Sequence, residues 1–274
     1  MEKEKKQEEK KQEGNAGNAK EMSFWEHLDE LRGTIFRSAA GIVICMTAVF
    51  LNKYLLFDVI ILGPTDSEFP LYSLFNSLSY AWDMPSLQIE PFSLSFQNVT
   101  VSGQFFTHIS TSFWFGLVLS FPWIIYQIWL FVRPALYENE RKAATGAFGF
   151  SSLLFFLGIA VGYFLALPLA VKFLGTYQVS DRVDNVIALT SYIDLFVVLE
   201  ISMGLLFQLP ILVFMLGRIG ILRRWMLRKY RRHAIVVIMT VVAVVSPTVD
   251  PVSMLALSLP IWLLYEASVY LCPK

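Results

Sequence analysis

Long apolar runs separated by short polar turns dominate the chain from residue 34 onward. A bilayer core of about 30 Å needs roughly 20 apolar residues in a helix. The pattern predicts helical spans over residues 34–57, 105–132, 147–171 and 191–216. Two more apolar runs, 234–245 and 252–271, are separated only by SPTVDP. They fit two short spans joined by a tight proline turn; the first is shorter than a full crossing, so if both span, the bilayer must thin or the helices sit in a dip. The segment 52–104 is no simple linker, because Leu71, Tyr72, Leu74, Phe75, Leu78 and Tyr80 follow the pattern of an apolar, partly helical cap. Beyond them, SLQIEPFSLSFQNVTVSG alternates too weakly to predict a strand. No internal repeat is visible, which weighs against transporter folds built from two related halves.

Charge fixes the orientation that this pattern leaves open, since basic residues mark cytoplasmic loops. Arg133, Arg141 and Lys142 follow the second span, and Arg218, Arg223, Arg224, Arg228, Lys229, Arg231 and Arg232 follow the fourth. Segment 52–104 has Lys53 against Asp58, Asp66, Glu68, Asp83 and Glu90, and after the third span Lys172 and Arg182 are balanced by Asp181 and Asp184. SPTVDP carries no base. Every second loop is basic. The expectation is an all-α membrane protein with six transmembrane helices, both termini in the cytoplasm, and the 52–104 cap on the outer side.

Composition supports the class and removes others. Of 274 residues, 55% are hydrophobic and only 16% charged, where a soluble domain carries about a quarter. Residues 1–22 are the exception: six Lys and six Glu among Gln, Asn, Gly and Ala give a charged tail with nothing to bury, expected to be disordered. It lacks the apolar stretch of a secretory signal. Cys45 and Cys272 lack metal-type spacing and read as small apolar residues. His27, His108 and His233 are scattered and make no metal set. No nucleotide loop, nucleophile elbow or zinc motif is present, so neither an enzyme nor a cofactor is expected.

Three stretches carry polar groups where a bilayer protein has little use for them. The first, FWEHLDELR, precedes span one; Ser23 and Glu26 fit a capping box, and Glu26 and Glu30 lie one turn apart, where two carboxylates repel unless a cation is near. The second is the elbow YQIWLFVRPALYENE, in which Pro122 is expected to kink or turn span two and Pro134 to end it. Glu138 and Glu140 follow in a loop otherwise marked by bases, an arrangement that suits a cationic ligand, since a guanidinium pairs with a carboxylate through two parallel hydrogen bonds. The third is span four, where Glu200 and Gln208 lie deep in an apolar run ahead of Pro210. A carboxylate at this depth is costly and is a functional candidate by default; the bland reading is a Glu200 hydrogen-bonded to a neighbouring helix. Eight residues leave the two side chains roughly 80° apart, able to border one polar groove. Asp250 reads as a cap for a helix beginning near Pro251.

HLDELR, YQIWLFVRPALYENER, FQLP and SPTVDPVSM, in this order and spacing, resemble the TatC family, whose members are the polytopic subunits of the twin-arginine protein translocase. The resemblance spans residues 23–271. It implies a concave six-span bundle in the cytoplasmic membrane that recognises signal peptides with consecutive arginines. It also implies export of folded proteins driven by the proton-motive force, alongside single-span TatA-type and TatB-type partners and with a possible homo-oligomer in the complex; no nucleic acid is implied. Carried over by motif, Glu30 and Glu140 meet the twin arginines, Phe131 and Pro134 support that site, Leu28 and Arg32 form its amino-terminal half, and Pro64 and Asp250 are outer-side positions. The family commonly has Glu where this chain has Gln208, so Glu200, two turns away, is the candidate for the missing carboxylate. SPTVDP also departs from the more usual TPPDP-like form. The alternative kept open is a secondary transporter or small cation channel using the Glu200/Gln208 groove.

Overall fold

The computed structural model describes residues 24–66, 69–82, 94–133, 138–180, 185–218, 220–245 and 251–272. Helix α1 spans Phe24–Leu51, beginning ten residues before the expected span and ending six before it. Its stop is local: the Asn52 amide donates to the Val49 carbonyl and its side chain donates to the Ala48 carbonyl, the backbone competition that makes asparagine a poor interior helix residue. A π-helical turn, Leu55–Ile61, and a short 3-10 turn, Gly63–Thr65, lead into α2 (Pro70–Trp82). Only one side of α2 fits the expected cap. Leu71 and Tyr72 are buried and Phe75 packs against them, whereas Leu74 and Tyr80 are exposed.

Helix α3, Gly103–Val132, runs unbroken through Pro122, so the expected turn there does not form. Neighbouring helices can re-satisfy the carbonyl that proline frees in a bilayer. Helix α4 (Glu138–Val161) passes through a second π-helical turn, Gly162–Ala166, into α5 (Leu167–Thr176). The wide turn lies just ahead of Pro168, whose ring clashes with the carbonyl four residues back in a regular helix. Helix α6 (Leu189–Leu206) stops at Phe207–Gln208, and α7 (Leu209–Arg218) restarts with Pro210 in its first turn. Pro210 has no amide to bond the carbonyl of Leu206, which explains the break. Helices α8 (Arg224–Lys229), α9 (Arg231–Val245) and α10 (Pro251–Leu271) complete the chain.

Among the described residues, His27–Leu51, Gly103–Val132, Phe148–Thr176, Leu189–Arg218 and Ser253–Leu271 are long and apolar enough to cross a membrane. Helix α9 has 15 residues, about 22 Å at 1.5 Å per residue, and is short of a bilayer core, as its apolar run implied. Two strands of two residues each escaped the sequence pattern: β1 (Phe96–Gln97) pairs in parallel with β2 (Ile187–Ala188). That pairing fastens the end of the 52–104 segment to the start of α6. The core lies where α5, α6 and the first π turn meet, around Ile61, Leu167, Tyr192, Phe196 and Leu199. Tyr192 and Tyr163 fix that turn by donating to the carbonyls of Ile61 and Ile60.

Candidate functional site

The α1–α3 seam brings the first two sequence motifs together. Its close approach depends on Gly116, where a β-carbon would stand 2.6 Å from the Met46 amide nitrogen. On one side of that crossing Phe50 stacks on His108 at 4.1 Å, and on the other Trp123 donates its indole N–H to the Arg37 carbonyl at 3.0 Å. At the motif end His27 stacks on Phe131, ring centroids 4.3 Å apart. HLDELR is therefore held directly against the elbow. Across the elbow, Trp129 meets Phe148 of α4 at 4.9 Å, which positions the helix that carries Glu140.

The predicted residues distribute around this joint as follows. Glu30 is half-buried, and its Oε2 is enclosed without a hydrogen-bond partner among the described residues. Leu28 and Arg32 are exposed, the Arg32 guanidinium lying 5.7 Å over the Phe36 ring. Phe131 is half-buried against His27, and the Arg133 amide closes the helix on the Trp129 carbonyl. Glu140 lies in the first turn of α4; its side chain, Pro134, Asp250 and the capping pair Ser23 and Glu26 fall outside the described side chains.

Glu200 and Gln208 do not share a groove. Gln208 sits at the break between α6 and α7 and is tied to α4: the Ser151 hydroxyl donates to its Oε1, and its Nε2 donates to the Ser151 carbonyl at 3.2 Å. Glu200, 5% exposed, faces a half-open cavity of about 360 Å³ lined by α3, α4, α6 and both π turns. Trp114, Phe115, Phe156, Tyr163 and Phe196 line it, with exposed Val59 and Phe164 on its rim. Neither Glu200 oxygen has a hydrogen-bond partner among the described residues, so the expected bond to a neighbouring helix does not form. Close approach to the second π turn needs Gly162, where a β-carbon would stand 2.7 Å from Glu200 Oε2. The break at Pro210 and the wide turn at Gly162 turn the two polar groups to separate surroundings, which an unbroken helical wheel does not anticipate.

At the other end of the fold Pro64 is buried in the 3-10 turn, and the Tyr72 hydroxyl bridges its carbonyl at 3.0 Å and that of Pro168 at 3.2 Å. Burial pushes the Tyr72 hydroxyl well above the usual tyrosine range. Pro64 is thus a fixed point between cap and bundle. Sequence reasoning passed over His27, Gln127 and the Arg231–Glu266 ion pair, 2.7 Å long, which joins the start of α9 to the end of α10. The available signal for each was a polar side chain inside or beside an apolar run. No group of His, Cys, Asp and Glu among the described residues is arranged to hold a metal ion.

The family model of the Sec-independent protein translocase protein TatC matches residues 26–260. This chain belongs to the TatC family. The TatC of Blattabacterium sp. subsp. Periplaneta americana (strain BPLAN) is 34% identical over 253 residues, covering 92% of this chain and 95% of the relative. That of Koribacter versatilis (strain Ellin345) is 34% identical over 261 residues, 91% and 84% of the two chains. A crystal structure of the twin-arginine translocase receptor TatC in DDM superposes with a TM-score of 0.68 at 27% identity, covering 91% of this chain and 100% of that one. The TatC-family chain is accordingly a multi-pass membrane protein and a component of the Sec-independent translocase. In its interior Gln208 is hydrogen-bonded to Ser151 and Glu200 stands apart from it.

Proposed function

We propose that this chain is the receptor subunit that recognises signal peptides with consecutive arginines and organises export of folded proteins, driven by the proton-motive force, across the cytoplasmic membrane. Glu30 and Glu140 each take one guanidinium; Phe131 and Pro134 shape the elbow, and Leu28 and Arg32 complete its amino-terminal side. The observation that carries the reading is the His27–Phe131 stack, which joins HLDELR to the elbow. Partly exposed acid–base pairs contribute modestly and are screened by salt, so the apolar part of the signal peptide has to add affinity along the helices. TatA-type and TatB-type single-span subunits are the partners. The crystal structures it resembles are of the twin-arginine translocase receptor, which supports the same assignment.

In this reading α9 is the short fifth span and α10 the sixth, both termini are cytoplasmic, and Pro64 and Asp250 act on the outer side. Residues 1–22 stay outside the six-span domain as a solvated tail. Glu200 supplies the interior carboxyl, while Gln208 is a brace. Site-specific cross-linking to a twin-arginine peptide in membrane vesicles tests the binding site: Glu30→Ala and Glu140→Ala reduce the cross-link while membrane insertion survives. Wild-type cross-linking by both variants would overturn it. Labelling single cysteines at either terminus from each side of the membrane tests the topology, and normal export by Glu200→Gln would remove the interior role.

A further inference from the structure

Glu30 Oε2 and Thr34 Oγ1 on α1 and Gln127 Oε1 on α3 are enclosed without a hydrogen-bond partner among the described residues, and the helix register places them along one stretch of the α1–α3 seam. Contacts on either side fix the register. Phe131 meets His27 at one end, and Trp123 donates to the Arg37 carbonyl at the other. Gln127 lies midway, about one turn from Trp123 and one from Phe131, and so stands level with the part of α1 between Glu30 and Thr34. His27, Glu30 and Thr34 share one stripe at i, i+3 and i+7. Thr34 is 5% and Gln127 2% exposed. The remaining unpartnered groups on α3, His108, Thr111 and Ser112, lie toward its far end.

Buried polar groups are normally paired, and each exception calls for a reason. Three within one short stretch of a helix seam that apolar residues could fill call for a shared one. A carboxylate oxygen and an amide oxygen only accept, and a threonine hydroxyl can. Their complement is a group rich in donors that accepts nothing. A guanidinium offers five N–H donors in a rigid plane, whereas an ammonium offers three around a point charge. Phe131 adds a ring face of the kind on which a guanidinium stacks. His27 covers that face in the structure.

We propose that Gln127 and Thr34 determine the preference for arginine over lysine: one guanidinium of the consecutive pair enters the seam, takes the place of His27 on Phe131, and donates to Glu30, Gln127 and Thr34 together. This rests on the reading of Glu30 as an arginine acceptor. The labour divides accordingly. Glu30 attracts any cation, while the neutral acceptors beside it are met by a planar fork and missed by a compact ammonium.

The test is binding of fluorescent signal peptides carrying Arg-Arg or Lys-Lys to the full chain in lipid nanodiscs. Thr34→Val and Gln127→Leu should each weaken Arg-Arg binding about tenfold, the loss of one charge-assisted bond, and leave Lys-Lys binding unchanged. Thr34→Ser and Gln127→Glu, which keep an acceptor, should retain the Arg-Arg preference, and this rescue separates recognition from a packing defect. A wild-type Arg/Lys ratio in Thr34→Val and Gln127→Leu would overturn the proposal, as would a failure of both rescues. Glu30→Gln should weaken both peptides. If it weakens them while the ratio stays put in the other variants, the seam proposal falls and the receptor reading stands; if it weakens neither, the receptor reading falls first.

Discussion

Gly116→Ala is the sharpest test of the packing that brings the two motifs together. An alanine β-carbon there would lie 2.6 Å from the Met46 nitrogen, 2.7 Å from its Cα and 2.9 Å from its Cβ. Two of these are backbone atoms, so no rotamer change relieves the clash. Ordinary carbon contacts fall near 3.5–4.0 Å, so α1 and α3 must separate by about 1 Å at the crossing, a gap that forfeits a quarter to a half of each dispersion contact beside it. Overpacking of this kind costs about 1–3 kcal/mol. Gly149 is the matched control, because it too is inside a helix and a β-carbon there meets nothing within 4 Å. Any gain in helix propensity from glycine to alanine is common to both variants, so the difference between them isolates the crossing. Thermal unfolding of the purified variants in one detergent should show Gly116→Ala melting below Gly149→Ala, with weaker Arg-Arg peptide binding because the displacement reaches Trp123 and Phe131. A Gly116→Ala protein that melts at or above Gly149→Ala would refute the reasoning.

Two further outcomes follow from polar contacts. Tyr72→Phe removes the hydroxyl that bridges the carbonyls of Pro64 and Pro168 and should lower stability by about 1 kcal/mol at neutral pH. Burial raises the native hydroxyl's pKa above its unfolded value, so its contribution is full below about pH 10 and lost as pH rises beyond it. Melting curves across alkaline pH should therefore fall more steeply for the parent than for Tyr72→Phe, and parallel curves would contradict the buried bridge. Ser151→Ala strips Gln208 of its hydroxyl donor and should destabilise the α6–α7 break by about 1–3 kcal/mol. Gln208→Leu combined with Ser151→Ala, which removes both side-chain partners, should recover part of that loss; a double variant as unstable as the sum of the singles would rule out direct coupling.

The spans were legible because a bilayer demands about 20 apolar residues and the chain supplies them in separate blocks. Helices α3 and α6 with α7 fall within two residues of the predicted runs 105–132 and 191–216 at either end. The short fifth run, 234–245, was legible as a helix, Arg231–Val245, of less than bilayer length. Boundaries failed where local chemistry outranked hydropathy, as at Asn52, which ends α1 although Leu55–Ile61 continues the apolar pattern. Pro122 misled because a packed bilayer helix tolerates proline, whereas Pro210 did break its helix. The β1–β2 pairing was invisible, since two residues of strand leave no period to read.

By itself the sequence determined the class, the spans, the motifs of the elbow and the presence of a carboxyl and an amide deep in span four. Those features are local: each is set by residue type and by spacing along one helix. Tertiary structure alone decided which polar groups meet. It set His27 on Phe131, bound Gln208 to Ser151, turned Glu200 to its own cavity, and enclosed oxygens of Glu30, Thr34 and Gln127 without a hydrogen-bond partner among the described residues. Helical periodicity gives the direction of a side chain about its own axis. The partner it faces depends on the crossing set by Gly116 against Met46, on the break at Pro210 and on the wide turn at Gly162, and these are relations between helices that no single apolar run encodes.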